Sequence, residues 1–301
     1  MYCSHCGKET IPNMAFCSYC GNALATTEDN SPKQLTTKSP KSSSHKILAI
    51  VLAIVSISLL TVWGINRAKS ASENDVITFG SYELDGDTSN GAEPIEWEVL
   101  AEREDGAKLL VSKYLLTSMP YNEELEDITW EECTLRSWLN EEFYEQAFTP
   151  QEQEKIQLTE LENADNFAFG TEGGANTRDY VFILSLDDLM EYYGITEHSI
   201  GAAEPSNELM TPFSIAAYKE YLQILQQGWD YTESEWKEEI EELETKCIND
   251  KGEICWVWWL RSPGSSNSDA AVVGEDGAVW YYFFSVACNE VSVRPAIWVK
   301  F

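Results

Sequence analysis

Cys3, Cys6, Cys17 and Cys20 are the residues of this chain whose spacing most directly implies chemistry. They form two C-x2-C pairs separated by ten residues. Zinc takes four tetrahedral thiolates, and two short knuckles facing each other supply them. Each knuckle runs into a glycine, Gly7 or Gly21, which lets the backbone turn tightly behind the second sulfur. A segment of about twenty residues cannot build its own core, so metal binding must drive its folding. The spacing predicts a structural zinc ion on these four cysteines. A pair of disulfides is the alternative, and it requires an oxidising compartment.

Other chemistry-bearing residues form weaker patterns. Cys133, Cys247, Cys255 and Cys288 are expected to be buried small side chains or to form one disulfide, and Cys247 and Cys255 are close enough in sequence to pair. The stretch DGDTSNG at 85–91, with Glu96 eleven residues after Asp85, has the spacing of an EF-hand loop. Its sixth position is Asn90 rather than glycine, and its flanks read as strands, so calcium is not predicted. His198 is the only histidine after residue 45, and no G-x-S-x-G is present. His198 is read as a surface residue, and no catalytic residue is assigned.

The elements that carry these residues divide the chain. Residues 1–24 hold the zinc knuckles. Residues 25–46 are rich in Ser, Thr, Lys and Pro and read as a flexible linker. Ile47 to Ile65 gives 19 uncharged, mostly apolar residues, enough to cross a hydrocarbon core of about 30 Å as a helix. A secretory signal peptide is the rival reading, but it rarely follows a metal knuckle and a long linker. Lys33, Lys38, Lys41 and Lys46 precede the span, and only Arg67 and Lys69 follow it closely. The positive-inside rule therefore places the N-terminus in the cytoplasm, where thiols stay reduced. Residues 66–75 form a juxtamembrane linker, and 76–301 form an extracellular domain. Residues 1–65 carry a net charge of +2, and residues 66–301 carry −33. A surface that acidic repels phosphate backbones and argues against nucleic-acid binding by the outer domain.

Within the outer domain, VITFGSY (76–82) reads as a strand, and PIEWEVLAEREDGAKLLVS reads as a hairpin turning at Asp105-Gly106. A second hairpin turns at Asp276-Gly277, and VSVRPAIWV closes the chain as a strand. Thr129 and Glu132 suggest a capping box ahead of a helix with Leu135, Trp138, Leu139 and Phe143 on one face. Thr149, Pro150 and Glu152 mark another helix start. Ser185 caps a third helix, which follows the apolar strand YVFIL (180–184) and ends at Gly194. Residues from about 213 to 250 read as a helical insertion with the stripe Trp236, Ile240, Leu243, Cys247. The order predicts an α+β domain whose terminal strands pair.

Two resemblances add to this reading. Residues 1–22 resemble the short zinc-ribbon at the N-terminus of many bacterial membrane proteins. The set EPIEWEVL, ITWEECTLRSWLNEEF, WWLRSPG, AAVVGEDGAV and VRPAIWV resembles a family of uncharacterised bacterial surface domains with an Arg-Ser-Pro motif, over about 76–301. A hairpin after WWLRSPG and a closing VRPA strand are in turn similar to the C-type-lectin-like fold of formylglycine-generating enzymes and variable receptor-binding proteins. The catalytic cysteine pair of those enzymes has no counterpart here, since Cys255 and Cys288 stand apart in the sequence. The resemblance instead implies a binding face on Ser265, Asn267, Asp269, Trp280, Tyr282 and Asn289, suited to a glycan or a protein. The alternative for Trp280, Tyr282 and Phe284 is that they share one strand face and simply pack. Arg261 and Arg294 are expected to hold loops by pairing with buried acids. The expected protein is a membrane-anchored recognition protein. A cell-surface enzyme on the same fold, or a scaffold docking a cytoplasmic partner through the zinc-ribbon, are the alternatives.

Overall fold

Val76–Tyr82 forms the first strand, β1, of an antiparallel run. The computed structural model describes residues 76–197, 200, 206–228 and 233–301. The four knuckle cysteines, the 25–46 linker, the 47–65 apolar run, residues 66–75 and His198 lie outside the described residues. Among the described residues, no helix is long and apolar enough to cross a membrane. They all belong to one unit, Ala71–Phe301.

β2 (Glu93–Glu102) pairs with β1 and, through the Asp105-Gly106 turn, with β3 (Lys108–Ser112). The turn closes with the Arg103 N–H donating to the Ala107 carbonyl at 2.8 Å. After β4 (Thr117–Ser118) the chain turns helical: α1 (Thr134–Trp138), a π-helical turn Leu139–Phe143, α2 (Tyr144–Ala147) and α3 (Pro150–Gln153). The short pair β5 (Thr159–Leu161) and β6 (Thr177–Asp179) precedes α4 (Leu186–Tyr192). α5 (Ile215–Gly228) and α6 (Glu233–Lys246) follow. Five strands end the chain: β7 (Trp258–Pro263), β8 (Asp269–Val273), β9 (Val279–Ser285), β10 (Ser292–Val293) and β11 (Ala296–Val299).

One sheet has the order β1-β2-β3-β11, so the first and last strands of the domain share it; a second has the order β4-β10-β7-β8-β9. β7 and β11 are buried along their whole lengths. Strands buried on both faces read as continuous apolar runs, which is why WWL and AIWV lack alternation. The open side of β11 is covered by single bridges, Ile156 to Val299 and Phe182 to Ala296, which shield an otherwise unpaired edge.

Three local expectations need correction. The closing segment is two strands, not one. β10 joins β4 and β7, whereas β11 crosses to β3. The break falls at Arg294-Pro295, where proline has no N–H for a ladder and its carbonyl instead accepts from Ser112 N at 2.9 Å. YVFIL, buried from Val181 to Leu184 with Tyr180 half-buried, forms no strand beyond the Phe182 bridge. Its backbone is satisfied elsewhere: the Asn140 Oδ1 accepts from Tyr180 N at 2.8 Å, and the Asn140 Nδ2 donates to the Val181 carbonyl at 2.8 Å. Finally, α1 starts at Thr134 with Cys133 as its cap, the Cys133 Sγ accepting from Arg136 N at 3.4 Å. Residues 129–133 form a turn in which the Glu132 and Cys133 N–H groups donate to the Thr129 carbonyl, each at 3.1 Å.

The other helix starts agree with the sequence. Glu152 reaches back to the Thr149 N–H at 2.8 Å, and its second oxygen accepts from Gly80 N at 3.0 Å, tying α3 to β1. Ser185 and Asp188 form a reciprocal box on α4. In the 213–247 stripe, Ile240 is half-buried and Cys247 buried, and the side chains of Trp236 and Leu243 lie outside those described.

Candidate functional site

Arg261, Ser262 and Pro263 of β7 each hold a neighbouring element. The Arg261 guanidinium donates to the Ile183 carbonyl at 3.0 Å and pairs with the Asp188 carboxylate, which also caps α4. The Ser262 hydroxyl accepts from Leu186 N at 3.0 Å. The Pro263 carbonyl accepts from Asn166 Nδ2 at 2.9 Å. Arg294 plays a similar part in the first sheet. It donates to the Ser112 carbonyl at 3.0 Å, pairs with Glu98 at 3.0 Å and lies over the Trp258 ring at 5.1 Å. Both arginines are buried, so they position backbone rather than face solvent.

Beyond Pro263 the site is built on an irregularity of β9, the edge strand. Val272 pairs with Trp280 and Ala270 with Phe284, so residues 281–283 stand opposite Ala271 alone. Such a bulge in an edge strand re-aims side chains and stops further pairing. Trp280 and Phe284 pack against the core, as the packing alternative expects, whereas Tyr282 does not. With three residues set against one, Trp280 and Phe284 become near neighbours whose rings stack at 5.7 Å and 21°. Tyr282 is diverted to the surface, 37% exposed.

Asn166 secures the bulge from a distant loop. Its side chain is 1% exposed. The Nδ2 donates to the carbonyls of Gly264 at 3.2 Å and Tyr281 at 3.0 Å, besides that of Pro263. Its Oδ1 accepts from Ala168 N at 3.0 Å and Phe169 N at 3.3 Å. Ser265 N donates to the Tyr282 carbonyl at 3.1 Å. The loop held by Asn166 presents Phe167 and Phe169, 42% and 51% exposed. Both rings lie against Tyr281, at 5.7 and 5.6 Å, and Tyr281 meets Tyr282 edge-on at 5.6 Å and 81°. The result is a surface cluster of four aromatic rings supported by buried amide and backbone hydrogen bonds.

Of the six sequence-assigned binding residues, Ser265 and Tyr282 meet at this cluster. Asn267 is nearby, and its Nδ2 donates to the Glu172 carbonyl at 2.8 Å, closing the same loop. The Asp269 carboxylate accepts from the Ser266 hydroxyl at 2.7 Å. Trp280 is half-buried against Phe284, and Asn289 is exposed in the turn after β9. Phe167, Phe169, Tyr281 and Asn166 were not assigned from sequence. The available signal was DNFAFG, two phenylalanines set in a polar, glycine-bearing stretch.

Among the described thiols, burial disfavours the thiolate form at three. Burial pushes Cys133 and Cys255 up to about 12 and raises Cys288 as well, so all three are protonated at neutral pH. Glu83, Asp85 and Glu93 gather their carboxylates within 4.8 Å. Glu83 and Glu93 accept main-chain N–H groups of the same loop. Glu96, the last position of the EF-hand spacing, is taken by Lys113 at 2.6 Å.

Fold and site together define a strand-rich α+β domain with an aromatic cluster on a bulged sheet edge. The chain belongs to the family described as a domain of unknown function, DUF6273, whose model matches residues 105–301. That match begins in the β2–β3 turn, although β1 and β2 pair into the same sheet as β3. A zinc-ribbon domain model matches residues 2–24. Neither a curated protein nor a solved structure matches the chain.

Proposed function

We propose that this is a single-pass membrane-anchored surface protein whose outer domain, residues 76–301, recognises a glycan or protein ligand through the four-ring cluster. The observation that carries the reading is the exposure of Phe167, Phe169 and Tyr282 around Tyr281. Aromatic faces beside polar groups suit sugar rings and protein hot spots alike. The C-type-lectin-like kinship belongs to this proposal. It is supported by the hairpin that follows WWLRSPG and the return of β11 beside the N-terminal strands.

At the other end, Cys3, Cys6, Cys17 and Cys20 would hold a structural zinc ion on the cytoplasmic side, a donor set of four thiolates that fits the metal. Residues 47–65 would span the membrane. The orientation is tested by impermeant cysteine labelling of intact cells: a cysteine placed at Ser72 reacts, and one placed at Ser43 does not. Recognition is tested by probing glycan and protein arrays with the solubilised chain and its Phe169→Ala and Tyr282→Ala variants. Capture that survives both changes in folded protein would overturn the reading.

A further inference from the structure

We infer that Cys247 and Cys255 form a structural disulfide that joins the end of α6 to the start of β7 once the domain meets a disulfide oxidant. The main chain places them. Cys255 N donates to the Cys247 carbonyl at 2.7 Å, and Ile248 bridges Ile254 in antiparallel fashion. Cys247 and Cys255 therefore stand directly opposite each other in a short hairpin. Hydrogen-bonded opposite residues have Cα atoms about 5.5 Å apart, within the range of about 4.4–6.8 Å that a disulfide spans. Their side chains project to the same side of the ladder.

The register is held on both flanks. In the turn, the Asn249 Oδ1 accepts from Lys251 N at 3.0 Å and Glu253 N at 2.9 Å, and its Nδ2 donates to Glu253 Oε2 at 3.1 Å. Gly252 supplies the left-handed turn residue at φ +80°. On the far side Pro212 bridges Cys255, and Trp256 N donates to the Thr211 carbonyl at 3.3 Å. The Trp256 ring packs on Tyr221 at 4.5 Å, which fixes the segment against α5. A slip that would separate the two cysteines breaks all of these contacts.

The chemistry balances with a small disulfide such as oxidised glutathione. Cys247, 7% exposed, is more accessible than Cys255, which is fully buried. The Cys247 thiolate attacks one glutathione sulfur, forming a mixed disulfide and releasing one glutathione thiolate. Cys255, giving up its proton as it reacts, then attacks the Cys247 sulfur, the Sγ–Sγ bond forms, and the second glutathione leaves. The two cysteine protons pass to the two glutathione thiolates, so one disulfide is reduced as another forms. Cys255 gives up a long Sγ contact to the Glu253 carbonyl, 3.6 Å.

The test uses the purified full chain, so it does not depend on the membrane orientation proposed above. After incubation with oxidised glutathione, remaining thiols are alkylated and the protein is cut with trypsin without reductant. Cleavage after Lys246, Lys251 and Arg261 separates Cys247 and Cys255 into peptides 247–251 and 252–261. The expected result is one species containing both peptides, split by reductant and absent from Cys247→Ser, while Cys288→Ala retains it. Separate alkylated or glutathione-bearing peptides, or a link from Cys255 to Cys133 or Cys288, overturn the inference.

Discussion

The Asn166 Nδ2 donates to the main-chain carbonyl of Tyr281 at 3.0 Å, joining residues 115 positions apart in the chain. This bond holds a bulge at the sheet edge in which three residues oppose one, and the same amide also binds the carbonyls of Pro263, the last residue of β7, and Gly264, which follows it. Asn166→Ala leaves buried carbonyls at the end of β7 without their donor, at about 1–3 kcal/mol in stability. Asn166→Asp keeps the acceptor used by Ala168 and Phe169 but loses the donor, so it is expected to be destabilised as well. Denaturant titration of both variants checks this. An unchanged midpoint would show that the amide does not hold the bulge.

Trp280 and Tyr282 are neighbours in sequence with different roles. Trp280 stacks on Phe284, which in turn meets Trp259 edge-on at 6.4 Å. Trp280→Ala is expected to cost about 2 kcal/mol, less than a fully buried ring, because part of the indole faces solvent. Tyr282→Ala is expected to leave the thermal midpoint within a degree or so and to reduce ligand capture. Melting curves beside array signals separate the two. The aromatic reading fails if Tyr282→Ala melts the domain.

Arg294 is buried beside a Glu98 carboxyl that keeps 23% of its side-chain surface. Arg294→Met is therefore expected to cost about 2–3 kcal/mol, below the cost of breaking a fully buried pair. Lys108 and Glu102, 3.6 Å apart with side chains 28% and 53% exposed, form a surface pair. Lys108→Met is expected to cost under about 1 kcal/mol. Equal losses in the two variants would contradict this ranking.

Burial, with the Asp276 charge adding to it, raises the Glu275 carboxyl above its ordinary range, although a main-chain hydrogen bond opposes this. The folded state therefore holds this proton more tightly than the unfolded chain. Its contribution to stability is present at low pH and is lost as pH rises through the raised value. Glu275→Gln is expected to raise the melting temperature at pH 7 relative to wild type. The gain is expected to vanish below about pH 4, where the carboxyl is protonated in both states. A gain of equal size at both pH values would point to packing instead.

For the N-terminal segment, purified residues 1–24 are expected to bind one zinc ion through four thiolates and to lose their structure with a chelator. Cys17→Ser is expected to weaken binding strongly and to leave the melting of residues 76–301 unchanged. Metal titration with circular dichroism provides the measurement. A segment that keeps its structure without metal would count against the four-thiolate site.

Local chemistry determined much of this domain. Asp-Gly at 105–106 and 276–277 sets both hairpin turns, because glycine alone takes the left-handed backbone there without strain; at Gly277 a Cβ would also lie 2.0 Å from the Ser206 carbonyl. Thr149 with Glu152 and Ser185 with Asp188 start α3 and α4 through bonds three residues apart. Tertiary structure decided what depends on partners far along the chain. YVFIL has strand propensity, yet its backbone bonds go to Asn140, Ala296 and Arg261. The closing segment divides at Pro295 because β3 and β7 lie in different sheets. The aromatic cluster is non-local in the same way. Phe167 and Phe169 acquire a common partner only when Asn166 meets the β9 bulge, and no periodicity in either segment records that encounter.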